Sequence, residues 1–231
     1  MGGYYYGFDV YYLLLVLPAI IISLYAQIKV KTAFSKYSKC YASVTGAQAA
    51  RIVLTNAGIT NVSVERVAGN LTDHYDPRTN VIRLSDSVYD SMAVSAVGVA
   101  CHEAGHAVQY AVGYKPIKLR AAIIPVTNIG SYLSWPLLLI GLIFNFPQLI
   151  TLGILLFGLV VLFQLVTLPV EFNASARALK AIKEQAIFTD EEQLNGAKSV
   201  LSAAAMTYVA ALLVSLAQLL RLILLFGKRR D

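Results

Sequence analysis

The sequence predicts an α-helical integral membrane protein of about four transmembrane segments that carries one small α+β unit on one side of the bilayer. Three observations lead there. A mean hydropathy of +0.63 with only 14% charged residues is wrong for a soluble globular chain of 231 residues. Four stretches, Val10 to Gln27, Ala121 to Phe144, Phe146 to Leu168 and Val200 to Phe226, approach the ~20 apolar residues that cross a hydrocarbon core. Between the first two, the pattern reads helix, strand, strand, helix over about ninety residues, near the lower limit for a self-sufficient core.

The first span follows a tyrosine-rich stretch, in which Tyr4, Tyr5, Tyr6, Tyr11 and Tyr12 read as an interfacial aromatic belt. It lacks a basic leader and a convincing cleavage site, so it is an anchor and not a removable signal. A basic juxtamembrane linker, Gln27 to Tyr41, comes next. Lys29, Lys31, Lys36 and Lys39, then Lys115, Lys118 and Arg120, then Arg177, Lys180 and Lys183 all fall on one side of the spans. Met1 to Asp9 and the turn at Asn145-Phe146-Pro147 carry no Lys or Arg, so the basic side is expected to be cytoplasmic. The tail Lys228-Arg229-Arg230 disagrees if the last segment spans once; a re-entrant segment or a helix packed on the protein are the alternatives. The net charge of +6 thus reflects topology and anionic lipid, and no basic, aromatic surface points to nucleic acid. Cys40 and Cys101 alone suit a reducing compartment.

Within the small unit, Thr45-Gly46-Ala47-Gln48 is a capping box that opens a short amphipathic helix closed by Asn56-Ala57-Gly58. Val62 to Val67 alternates as a strand, and Val81 to Leu84 reads as a second. Leu71 to Asn80, between them, is a polar loop rich in ionisable groups; Asp73 and Asp76 orient other groups there or cap the turn before Pro77. Ser87 to Tyr110 is a helix apolar on several faces, with Gly113 and Pro116 just beyond its end.

That helix carries His102-Glu103-Ala104-Gly105-His106. Residues four apart stack on one helical face, so the two imidazoles can hold one ion between them. Glu103 is turned about 100° from His102, off the metal and toward a water in the fourth position, where a general base belongs. A buried helix with three such polar groups satisfies them together through zinc and its water. Two core histidines bonded to backbone carbonyls would be the bland alternative; the full spacing favours Zn2+ and hydrolysis of peptide bonds. Cys101 adjoins the motif, with a ligand role as the minor alternative, but it points about 100° away from His102 and reads as a small buried hydrophobe.

Two histidines leave zinc short of a ligand. No third histidine follows on the helix, so the candidates are His74, upstream in the polar loop, and Glu171. Leu168-Pro169-Val170 is expected to end the third span, with a helix restarting at Glu171 at the interface, and a His2Glu set with an open position is a catalytic zinc arrangement. A helix N-terminal acid stabilised by the macrodipole is the alternative for Glu171. Ser175 sits one turn on, able to bond a ligating imidazole, while Arg177 stabilises an oxyanion or reaches toward headgroups. His74 and Tyr75 are further oxyanion candidates. The strand from Asn80 to Ser85 is a candidate edge for an extended substrate.

With His-Glu-Ala-Gly-His, Asp-His-Tyr-Asp-Pro at 73–77 and Glu-Phe-Asn-Ala-Ser at 171–175 in hand, the chain resembles the YugP-like neutral zinc metallopeptidases of bacterial membranes over nearly its whole length. It also looks like a distant relative of HtpX-type gluzincin membrane proteases, whose motif helix is followed by transmembrane segments and a helix that supplies a glutamate. That resemblance implies a gluzincin-like unit on the cytoplasmic side with Glu171 as ligand. Those relatives usually carry an aspartate where Ser175 stands. Intramembrane site-two-type proteases fit less well, because their Asn-Pro and Asp-Gly element is missing here.

The expected division is an anchor at 1–28, a catalytic α+β unit at 29–120, a transmembrane hairpin at 121–169, a cytoplasmic helix with the third ligand at 170–199, and a hydrophobic helix with a basic tail at 200–231. Its partners are a peptide or membrane-protein substrate and the lipid bilayer. A zinc-binding scaffold or sensor that hydrolyses nothing is the rival, and it has no use for a non-ligating Glu103.

Overall fold

A computed structural model describes residues 4–5 and 8–227. Tyr6, the first residues of the tyrosine-rich stretch and the Lys228-Arg229-Arg230 tail lie outside these described residues. In chain order the elements are β1 (Tyr4–Tyr5), β2 (Phe8–Asp9), a π-helical turn (Tyr12–Val16) running into α1 (Leu17–Tyr37), α2 (Gly46–Asn56), β3 (Ser63–Val67), β4 (His74–Asp76), β5 (Val81–Ser85), α3 (Val94–Ala111), α4 (Lys115–Ile143), α5 (Pro147–Glu184) and α6 (Glu191–Phe226). Four helices are long and apolar enough to cross a membrane: Tyr12–Tyr37, α4, α5 and α6. The chain forms two compact units. One comprises residues 1–26, 119–168 and 207–231, the other 27–118 and 169–206.

In the first unit, Leu138, Ile150, Phe157, Val161, Leu212 and Leu222 form an apolar core, while Leu14, Ile21, Tyr132, Leu139 and Leu155 stay exposed, as lipid-facing side chains would. Asp9 accepts from the Tyr12 N–H and pairs with Arg221, whose Nε lies 2.6 Å from its Oδ2. Pro147 and Ile150 line a cavity together with Ile223 and Phe226. Asp9, the 145–147 turn and the last turns of α6 therefore share one end of this unit. α6 is a single unbroken helix, which removes the re-entrant alternative.

In the second unit, β5 lies at the centre of a three-stranded sheet ordered β3-β5-β4, parallel to β3 and antiparallel to β4. Its core joins Ala49 and Ala50 of α2, Ile82 and Leu84 of β5, Val94, Val97, Ala100 and Cys101 of α3, and Ala178 and Ile182 of α5. The Thr45 capping box forms as the sequence implies: the Thr45 hydroxyl accepts from the Gln48 N–H, and the Gln48 side chain accepts from the Thr45 N–H.

Several expectations are corrected here. The segment read as a basic linker after the first span is helical as far as Tyr37. The motif helix begins at Val94, not Ser87, because Val88 and Tyr89 N–H both bond to the Ser85 carbonyl and close a turn after β5. The polar loop contains a third strand, β4, so the 80–85 strand is paired on both sides and offers no free edge. Pro169 does not end a helix: α5 runs through it to Glu184. A proline removes one backbone bond without forbidding helix on either side when tertiary contacts hold the chain. Glu171 therefore sits deep within a helix, and the macrodipole reading of it falls away.

The polar turn after β4 is built on Asp76, which accepts from the Arg78 N–H, the Thr79 hydroxyl and Arg83. The Thr79 and Arg78 bonds, aided by Arg83, lower its carboxyl from 3.8 to about 2. A carboxyl depressed in the folded state contributes stability above its unfolded value and loses it as the pH falls toward the folded one. Asp76→Asn is expected to lower the melting temperature at neutral pH, with the gap to the parent narrowing below about pH 4. Thermal melts in detergent across that range check this, and a gap of constant size would contradict it.

Candidate metal centre

α3 places His102 and His106 one turn apart on a single face, their ring centroids 4.7 Å apart and nearly perpendicular. α5 brings Glu171 against them, its Oε2 3.3 Å from His102 Nε2 and 3.6 Å from His106 Nε2. One ligand atom from each of the three lies within 4.8 Å of the others, and among the described residues this is the one His, Cys, Asp and Glu group so arranged. Glu171 is 2% exposed, so a carboxylate has been taken out of water, at a cost that only close positive or hydrogen-bonding partners offset. His74 does not join the group. It lies exposed on β4 with Nδ1 2.7 Å from the Thr72 carbonyl.

Each imidazole is gripped from behind. His102 Nδ1 meets the Ser175 hydroxyl at 3.1 Å, one turn along α5 from Glu171. His106 Nδ1 meets Gln109 Oε1 at 3.0 Å, and Gln109 Nε2 donates to the Val170 carbonyl and to Asn173 Oδ1. Arg177 Nε donates to that same Asn173 oxygen at 2.8 Å, so its contact is with this network and not with the histidine pair. Burial pushes the His106 imidazole down, but the Glu171 hydrogen bond and the Glu103 and Glu171 charges outweigh it and hold His106 above the ordinary histidine value. The field between these side chains favours positive charge.

Glu103 faces another way. Its Oε2 accepts from the Tyr75 N–H of β4 at 3.0 Å, which ties the motif helix to the sheet edge. The Tyr75 ring packs edge-on against Tyr110, and its hydroxyl donates to Asn80. Cys101 is fully buried in the apolar core, where desolvation pushes its thiol up to about 12, an inert hydrophobe beside the motif.

The close approach of the two helices depends on Gly105. A Cβ there would lie 2.7 Å from the Ala174 carbonyl oxygen, inside contact distance, so α3 and α5 meet backbone to backbone beside the histidines. The sequence pointed to His102, His106, Glu171 and Ser175. It did not single out Gln109, Asn173 or the Tyr75 backbone, although the i+3 spacing of Gln109 from His106 on a helix was the available signal.

A buried cluster of two imidazoles and a carboxylate on paired helices is a donor set that suits zinc, and comparison with known proteins agrees. The chain belongs to the family described as "Putative neutral zinc metallopeptidase", which it matches over residues 12–227. It is 49% identical over 222 residues, 95% of this chain and 98% of the other, to the protein named "Putative membrane protease YugP" from Bacillus subtilis (strain 168). No solved structure matches it.

Gly105→Ala is expected to force α3 and α5 apart and pull Glu171 away from the histidines. Zinc affinity measured by chelator competition is expected to fall by about tenfold or more. Parent-like affinity in the folded variant would show that the helix approach does not set the spacing.

Proposed function

We propose that the chain is a zinc-dependent membrane endopeptidase of gluzincin type that hydrolyses peptide bonds of membrane or membrane-proximal proteins at the cytoplasmic face. The observation that carries this reading is the position of Glu171, from the far end of a helical hairpin, within reach of both His102 and His106. These three would hold the ion. Zinc bound there supplies a Lewis acid that polarises a scissile carbonyl and makes a water acidic. Glu103 would accept a proton from the attacking water and pass it to the leaving amine, its carboxylate held beside the sheet edge by the Tyr75 N–H.

The edge strand β4 is where an extended substrate segment would lie. Tyr75 N–H points to Glu103 instead of into the sheet, so a peptide added beside β4 runs next to the general base. Main-chain pairing of that kind tolerates many side-chain sequences. His74, exposed on the same strand, would serve as the oxyanion donor, and Arg177, bonded to Asn173, would act on the site through it. The order of elements, a motif helix, two apolar helical segments and a glutamate beyond them, supports a distant kinship with HtpX-type proteases. The functional division is an anchor at 1–28, a catalytic unit at 29–120, a hairpin at 121–169, a ligand-bearing segment at 170–199 and a C-terminal hydrophobic helix at 200–231. A zinc scaffold without hydrolysis would leave Glu103 only its bond to the Tyr75 N–H.

One experiment separates these readings. Glu103→Gln is expected to retain zinc and the fold while peptide hydrolysis falls by roughly 10²–10⁴-fold; Glu171→Ala is expected to lose zinc. Metal content and turnover of detergent-purified protein check both, and undiminished turnover in Glu103→Gln removes Glu103 from the chemistry. For orientation, single cysteines at the 145–147 turn are expected to react with an impermeant maleimide added outside intact cells. Labelling only after lysis would reverse the topology.

A further inference from the structure

We infer that Gln109 is a positioning residue that fixes the tautomer of the neutral His106 imidazole, so that the Nε2 lone pair is the one left for the ion, and that Asn173 and Arg177 lock Gln109 in place. The inference rests on the reading of His106 as a zinc ligand. The argument is one of donors and acceptors. The Val170 carbonyl can only accept, and Gln109 lies 2.8 Å from it, so the atom facing it is the amide nitrogen. The second amide proton goes to Asn173 Oδ1 at 3.0 Å. That atom is itself fixed as oxygen, because the Arg177 guanidinium, which has no acceptor, donates to it at 2.8 Å. Gln109 therefore turns its carbonyl oxygen to His106 Nδ1, 3.0 Å away, and an oxygen there requires a proton on Nδ1. A neutral imidazole with its proton on Nδ1 has a bare Nε2.

Gln109 is 0% exposed, so water cannot substitute for any of these bonds. Flipping the amide would set its oxygen against the Val170 carbonyl and leave a buried acceptor pair unsatisfied, which makes the orientation one-way. His102 differs. Its Nδ1 partner is the Ser175 hydroxyl, which can donate or accept and so imposes no tautomer by itself. The two histidines are thus held with unequal strictness, and the stricter grip belongs to His106.

The test uses the full chain with zinc removed and histidine labelled with 15N; the sequence has three histidines, and the His106 signals are those missing from His106→Ala. At alkaline pH the proton of His106 is expected on Nδ1 in the parent. In Gln109→Met, of similar volume but without hydrogen bonds, the Nδ1 preference is expected to disappear and zinc affinity to weaken roughly ten- to hundredfold by chelator competition. A neutral His106 in the parent with its proton on Nε2 and none on Nδ1 overturns the inference, as does parent-like zinc affinity in a folded Gln109→Met. Should the Met variant fail to fold, the parent tautomer decides alone. A protein that binds no zinc would sink the peptidase reading but leave the tautomer result standing, so the two failures are distinguishable.

Discussion

The structure of the second unit depends on keeping one carboxylate out of water. Glu171 is almost fully buried between two helices, and an isolated charge there would cost several kcal/mol. Its tolerance requires the two imidazoles at 3.3 and 3.6 Å, which in turn requires α3 and α5 to touch backbone to backbone at Gly105 and Ala174. The other face of α3 is apolar and packs on α2 and β5, with Val97, Ala100 and Ala104 meeting Ala50, Ile82 and Leu84 in one core. Small side chains on both faces of the motif helix are the sequence's answer to this double demand. They let the helix approach α5 on one side and the sheet on the other.

The parts legible in the sequence were those with short-range signatures. The capping box at Thr45, the alternation of Val62 to Val67 and the stacking of two histidines four apart each follow from local geometry. The four apolar helices were legible from length and hydropathy alone. What failed was set by tertiary partners. β4 is three residues long and polar, and it is a strand only because β5 lies beside it. Pro169 looked like a helix stop, yet the carbonyls of Pro169 and Val170 accept from Tyr114 and Gln109. Gln109 itself reads as an unremarkable polar residue near a helix end until its three hydrogen bonds are seen. Asn173 escaped notice for the same reason: the Gln109 amide that donates to it comes from another helix.

His102 and Glu171 stand 69 residues apart in the chain, with an apolar helical hairpin between them. The entropy of closing so long a loop is modest, since each doubling of length adds only about 0.6 kcal/mol. Inserting membrane helices between two halves of one site is therefore thermodynamically light. The demanding requirement is phase, because a helix turns about 100° per residue and a slip of one position on α5 would carry Glu171 off the histidine pair. The contacts that set this phase cluster on consecutive turns of α5. Tyr114 engages the Pro169 carbonyl, Gln109 engages Val170 and Asn173, Gly105 admits Ala174, and Ser175 bonds His102. All of these partners lie in the second unit, so the register of the carboxylate is specified locally, by α3 and the turn after it. The same amide that orients His106 thereby also registers the helix that delivers Glu171. A substitution at Gln109 would disturb both the ligand's tautomer and the carboxylate's placement, which is why a tautomer measurement is needed beside a binding one.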